Sequence, residues 1–136
     1  MTETLIRRRE PVVLADDFDA LVTWYRDALG LAVVQRIEEP FHYAILEGAP
    51  DSRTGSGFRV GIAAAAEMGV SARTGAPGTV ALQCEVDDLP AWFEALRTRG
   101  VEITGGPSHD AAGGFWFGSL ADGEGNAIWV VDANCP

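Results

Sequence analysis

The feature that most constrains this chain is an internal repeat. Asp16-Asp17 precede an apolar stripe at Phe18, Leu21, Val22, Tyr25 and Leu29, and Gly30 closes it. Asp87-Asp88 precede a second stripe at Leu89, Trp92, Phe93 and Leu96, and Gly100 closes that one. Each segment reads as an amphipathic helix. A carboxylate caps the free N–H groups at its start, large apolar residues recur at the helical period, and a glycine takes the left-handed conformation that ends it. Pro90 suits the first turn of the second helix. Asp17 and Asp88 stand 71 residues apart, and Gly30 and Gly100 stand 70 apart.

The flanking β-runs repeat in the same order. Glu10–Ala15 precedes the first helix, and Leu31–Val34, Phe41–Leu46 and Phe58–Ala64 follow it. Thr79–Val86 precedes the second helix, and Val101–Ile103 and the hairpin Phe115–Asp132 follow it. The hairpin turns at Asp122-Gly123-Glu124-Gly125-Asn126, where Asp-Gly and Gly-Asn pairs favour a tight reversal between aromatic and β-branched flanks. Glu38-Glu39-Pro40, residues 49–57 and the Gly-rich stretch 105–114 read as loops. The expected fold is therefore α+β, with paired βαβββ modules forming a curved mixed sheet and the helices on its convex face. One domain spans 1–136, with module one at 5–64, a linker at 65–78 and module two at 79–132. One helix per module cannot cover both faces of the strands, so the open face curves into a pocket lined by alternate residues.

Composition narrows the partners. A formal charge of −10 disfavours nucleic acid and anionic membrane surfaces and favours solubility or a cationic ligand. No apolar run is long enough to span a bilayer, and MTETLIRRRE has no apolar segment after its charges, so the expected location is the cytoplasm. Cys84 fits an alternating β-run as a small core residue, and Cys135 is expected to be exposed. There is no G-x-S-x-G elbow, no lysine for a phosphate loop and no Cys/His zinc pattern. Arg7-Arg8-Arg9 reads either as a grip for an anion or as a solvated strand edge. The loops Arg53-Thr54-Gly55 and Arg73-Thr74-Gly75 read as turn chemistry.

Several motifs together resemble the vicinal oxygen chelate superfamily, which includes glyoxalase I, extradiol dioxygenases and bleomycin-resistance proteins. They are Asp17-Phe18-Asp19 with Trp24-Tyr25-Arg26-Asp27-Ala28-Leu29-Gly30, then Val86-Asp87-Asp88-Leu89, Gly100-Val101-Glu102, and Asp122 through Ile128. The resemblance implies a divalent metal held from four positions on the first, fourth, fifth and eighth strands. Those positions map to Glu10, Gly61, Ala81 and Trp129, so one ligand of four is present. A lone carboxylate does not hold a divalent ion, and His42 and His109 are not paired at metal spacing. The expectation is a chain without metal or other cofactor, of the bleomycin-resistance-like branch. It would be a homodimer that sequesters a small molecule. The alternatives are a lyase, isomerase or dioxygenase using a metal or a Glu10 or Glu85 base, and an accessory interaction module. No catalytic residue is assigned.

Strand alternation then nominates the pocket. Glu10 and Val12 share a face on the first strand, and Gln83 and Glu85 share one on the fifth. If residue 121 pairs with 127, then Phe115 and Phe117 face the same way as Trp129, whereas a slip of one residue would present Trp116 instead. The expected ligand is planar or cationic, stacked on Trp129 and the two phenylalanines, with Glu10 and Glu85 to meet positive charge.

Overall fold

The computed structural model describes residues 4–53, 55, 57–69 and 81–136. The first module contains β1 (Val12–Ala15), α1 (Phe18–Leu29), β2 (Ala32–Ile37), β3 (Tyr43–Glu47) and β4 (Arg59–Ala64). A short 3₁₀ turn, Ala65–Met68, follows. The second contains β5 (Leu82–Val86), α2 (Leu89–Thr98), β6 (Glu102–Asp110), β7 (Phe115–Ala121) and β8 (Ala127–Asp132). The expected strand residues Thr79 and Val80, the linker from 70 to 78 with its Arg73-Thr74-Gly75, and Thr54 lie outside the described residues.

The mixed sheet is built as two four-stranded halves, one per module, in the orders β1-β4-β3-β2 and β5-β8-β7-β6. β1 runs parallel to β4 and β5 parallel to β8, and the other pairings are antiparallel. The repeat seen in the sequence is thus a repeat of topology.

Both helices form as their caps dictate. Asp17 accepts a hydrogen bond from the Ala20 amide and Asp88 from the Ala91 amide, each at 3.1 Å. Gly30 ends α1 at φ 71°, a conformation that costs other residues about 1–2 kcal/mol. α1 packs on β3 and β4, and α2 packs on β6, β7 and β8, leaving the opposite face of each sheet open. Phe18, Leu21, Val22 and Tyr25 of α1 and Leu89, Phe93 and Leu96 of α2 are buried. They join Val13, Ile62, Leu82, Ile128 and Val130 in one core that spans both modules. Among the described residues no helix is long and apolar enough to cross a membrane.

One expected loop is instead a strand. β6 continues through residues 105–110 and pairs with β7 as far as Asp110 and Phe115. Register shifts at Gly105 and between Gly105 and Ser108 absorb the Gly-Gly-Pro interruption. Gly106 sits at φ 79°, and a Cβ there would meet the Phe117 carbonyl oxygen at 2.8 Å. Proline is tolerated because β6 is an edge strand, where one side of the backbone has no ladder partner. The true loop is short, and Asp110 Oδ1 holds it by accepting the Ala112 and Gly113 amides.

The modules are joined through the turn between β7 and β8. Asp122 is buried, and its Oδ1 accepts the Glu124 and Asn126 amides at 2.9 Å, which shapes the turn. Its Oδ2 accepts the hydroxyl of Tyr25 on α1 at 2.7 Å. Glu124 reaches the start of the same helix, where its carboxylate accepts the Asp16 and Asp17 amides at 2.9 Å. In the other direction, Arg99 at the end of α2 donates to the Ala28 carbonyl at 2.7 Å.

Candidate functional site

The register of the β7–β8 hairpin decides which aromatic residues face the open side of the second sheet. Ala121 pairs with Ala127, Ser119 with Trp129 and Phe117 with Val131, and Gln83 on β5 lies beside Trp129 from the other edge. Phe115, Phe117, Ser119, Gln83 and Trp129 consequently line one cleft of about 610 Å3. Trp116 turns away and packs against His109, with ring centroids 5.0 Å apart and the planes tilted by 59°.

The cleft is apolar with a polar rim. Trp129 is 52% exposed and Phe117 42%, and the Phe115 and Phe117 rings lie 6.1 Å apart at 54°. β6 contributes Gly105, Gly106, Ser108 and Asp110, and Cys135 lies at the edge. Ser119 accepts the Thr104 hydroxyl at 2.8 Å. The sequence pattern hides these β6 residues because the Gly-Gly-Pro run at 105–107 has the composition of a loop. The signal that could have found them is the Ser108-His109-Asp110 run continuing the strand beyond Pro107.

The other nominated residues lie apart from this cleft. Glu85 is bound at 2.7 Å by Arg53, whose Nη2 also meets Asp51 at 3.0 Å. The pair lines a separate, polar cleft of about 520 Å3 with Pro50, Ser52, Val86 and Asp87. Val12 is half exposed on β1, where it pairs with Gly61.

Glu10 immediately precedes β1 at a third cleft, of about 350 Å3, with Arg8, Arg9, Pro11, Gly57 and Arg59. Its side chain is only 1% exposed. A hydrogen bond from its own backbone holds its carboxyl below the usual carboxylate range, helped by Arg9 and Arg59 and opposed by burial. The neighbouring Tyr43 hydroxyl is shifted upward by burial and by the Glu10 charge. A Cβ on Gly61 would collide with that hydroxyl and lie 3.2 Å from Glu10 Cγ.

The four positions that would hold a metal in this kind of fold do not fit one. Gly61 and Ala81 carry no donor side chain, Trp129 offers an indole, and two guanidiniums flank Glu10. Among the described residues no cluster of three or more His, Cys, Asp or Glu side chains could take an ion. His42 Nδ1 is engaged by Glu67 at 2.9 Å.

Comparison with known proteins agrees with this architecture. A crystal structure of a glyoxalase/bleomycin resistance protein/dioxygenase superfamily member from Sphaerobacter thermophilus is 18% identical, with a TM-score of 0.72, and the match covers 94% of this chain and 98% of that one. A protein of unknown function from Agrobacterium tumefaciens is 21% identical, with a TM-score of 0.69 over 96% and 97% of the two chains. TioX from a Micromonospora species is 18% identical, with a TM-score of 0.65 over 92% and 98%. No curated protein matches the chain. The sequence model of one family matches residues 10–130, and the chain belongs to that family, the Glyoxalase/Bleomycin resistance protein/Dioxygenase superfamily.

Proposed function

We propose that this protein binds a small planar, cationic molecule on the open face of its second sheet, without a metal and without turning it over. The observation that carries the reading is the half-exposed Trp129 beside Phe115 and Phe117 in a cleft of about 610 Å3. Large aromatic faces left open on a folded domain mark a place where something packs. Gln83 and Ser119 give the floor a few polar atoms, and Asp110 puts a carboxylate at the cleft within a chain of net charge −10. Asp110 takes the role expected of Glu85, whose charge Arg53 already meets. We further propose that the protein works as a cytoplasmic homodimer, in which a second copy covers open sheet surface.

The test is quenching of tryptophan fluorescence by a planar aromatic cation such as acridine orange, with the wild type and Trp129→Ala compared. Removing the indole should weaken binding more than tenfold, a loss of about 1.4 kcal/mol. Unchanged affinity in Trp129→Ala would overturn this placement of the site.

A further inference from the structure

The strand register sets one row of residues straight across the open face of the second sheet. Gln83 on β5 stands beside Trp129 on β8, Trp129 beside Ser119 on β7, and Ser119 beside Gly105 on β6. All four line the aromatic cleft. Adjacent strands lie about 4.8 Å apart, so Gln83 and Ser119 flank the indole on opposite sides, about 10 Å apart at the backbone. A planar molecule stacked on Trp129 would therefore have a polar side chain at each of two opposite edges.

Both flanks offer donors. Thr104 Oγ1 donates to Ser119 Oγ at 2.8 Å. A hydroxyl has one proton, and among the described residues Ser119 gives it to no acceptor, so that proton is left for the cleft. The Gln83 amide has two N–H donors and no hydrogen-bond partner among the described residues. Gly105 is not at a positive φ, so its backbone does not require glycine. Space does: a Cβ there would stand 2.9 Å from Ser119 Oγ and crowd the hydroxyl. In an otherwise apolar cleft a few placed donors decide which ligands fit, because a ligand without matching acceptors leaves them covered and unpaired.

We propose, building on the aromatic cleft as the ligand site, that Ser119 and Gln83 are its specificity-determining residues. The ligand is a planar polycycle with a hydrogen-bond acceptor, such as a carbonyl oxygen, on each of two opposite edges. Ser119 donates to one acceptor and the Gln83 amide to the other, while Trp129 carries the ring face. Thr104 is a positioning residue: by donating to Ser119 it leaves the serine proton for the ligand.

The experiment compares two planar tricyclic cations by isothermal titration calorimetry on the full chain. Aminomethyl-anthraquinone has a carbonyl on each long edge, and aminomethyl-anthracene has none. Both carry the same ammonium. The wild type should bind the quinone at least tenfold more tightly, as two added hydrogen bonds allow. Ser119→Ala and Gln83→Met should each cut that preference at least threefold and leave the anthracene amine unchanged. Trp129→Ala should weaken both probes by a similar factor. The wild-type comparison stands even if a variant fails to fold. Equal wild-type affinity for the two probes, or a preference that survives both Ser119→Ala and Gln83→Met, would overturn the assignment of these donors. If Trp129→Ala still weakens both probes in that case, the aromatic site stands without its edge donors. If neither probe binds, or Trp129→Ala changes neither, the aromatic site falls and the edge donors fall with it.

Discussion

Tyr25→Phe isolates one of the hydrogen bonds that tie the two modules together. The ring is fully buried and the substitution keeps it, so the change removes one hydroxyl and little packing. That hydroxyl donates to the Asp122 carboxylate at 2.7 Å. A bond to a charged group contributes about 1.5–3 kcal/mol. Asp122 keeps the Glu124 and Asn126 amides on Oδ1 and Asn126 Nδ2 on Oδ2 at 2.9 Å, so its charge is not stranded. The cost should therefore fall at the lower end, about 1.5 kcal/mol, which for a domain of this size lowers Tm by roughly 5 °C. Asp122→Ala should cost more than twice as much, because it leaves all of these donors without an acceptor. Urea unfolding followed by circular dichroism measures both, with the slope m unchanged if only the folded state is affected.

The same pair also predicts a pH dependence. Burial, and then the Asp122 charge, push the Tyr25 hydroxyl far above its ordinary range. A group whose folded pKa is raised contributes its full stability below its unfolded pKa and loses it as pH rises. Wild-type stability should thus fall above pH about 10, where tyrosine in the unfolded chain ionises, and Tyr25→Phe should flatten much of that slope. A loss below about 0.5 kcal/mol together with an unaltered alkaline slope would refute this reasoning, since even a weak neutral bond contributes that much.

Four further expectations can be checked directly. Gly106→Ala should destabilise the fold by about 2–3 kcal/mol, because it combines an unfavourable φ with a contact against the Phe117 carbonyl. Gly30→Ala, with a similar φ but open space around it, should cost only about 1 kcal/mol in the same unfolding assay. The Cys84 thiol, raised by burial to about 11, should react with iodoacetamide far more slowly at pH 8 than a model thiol, as read by mass spectrometry. Trp129→Ala should leave Tm nearly unchanged while weakening the dye, since a side chain that is 52% exposed has little burial to lose.

The helices and the hairpin were legible in the sequence because each is signalled locally and redundantly. Asp17 and Asp88 cap, the stripes repeat at the helical period, and Asp122–Asn126 sets a turn that fixes the register of Trp129 against Ser119. Alternation then placed Phe115, Phe117, Gln83 and Trp129 together. Alternation assigns a face, however, and does not say which guanidinium will reach a carboxylate from a distant loop. Arg53 is 32 residues from Glu85, yet it fills the space beside it. Glu10 likewise went to a basic cleft and not to the aromatic one. The end of β6 was hidden for another reason: Gly105, Gly106 and Pro107 have the composition of a loop, and only pairing with β7 makes them a bulged strand. With them went Asp110, the carboxylate nearest the aromatic cleft's own chemistry.

The link between the turn and the first helix has a consequence for the repeat itself. The backbone is duplicated, but the stabilisation is not. Glu124 and Asp122 of the second module serve α1 of the first, whereas the corresponding loop of the first module spends Asp51 on Arg53, and α2 begins on its own Asp88 alone among the described residues. A first module cut away from the second would expose the Tyr25 hydroxyl and two amides at the head of its only long helix. The halves are therefore not interchangeable copies: fusing two copies of the first would preserve every strand and helix and still lack the acceptors that hold α1 in place.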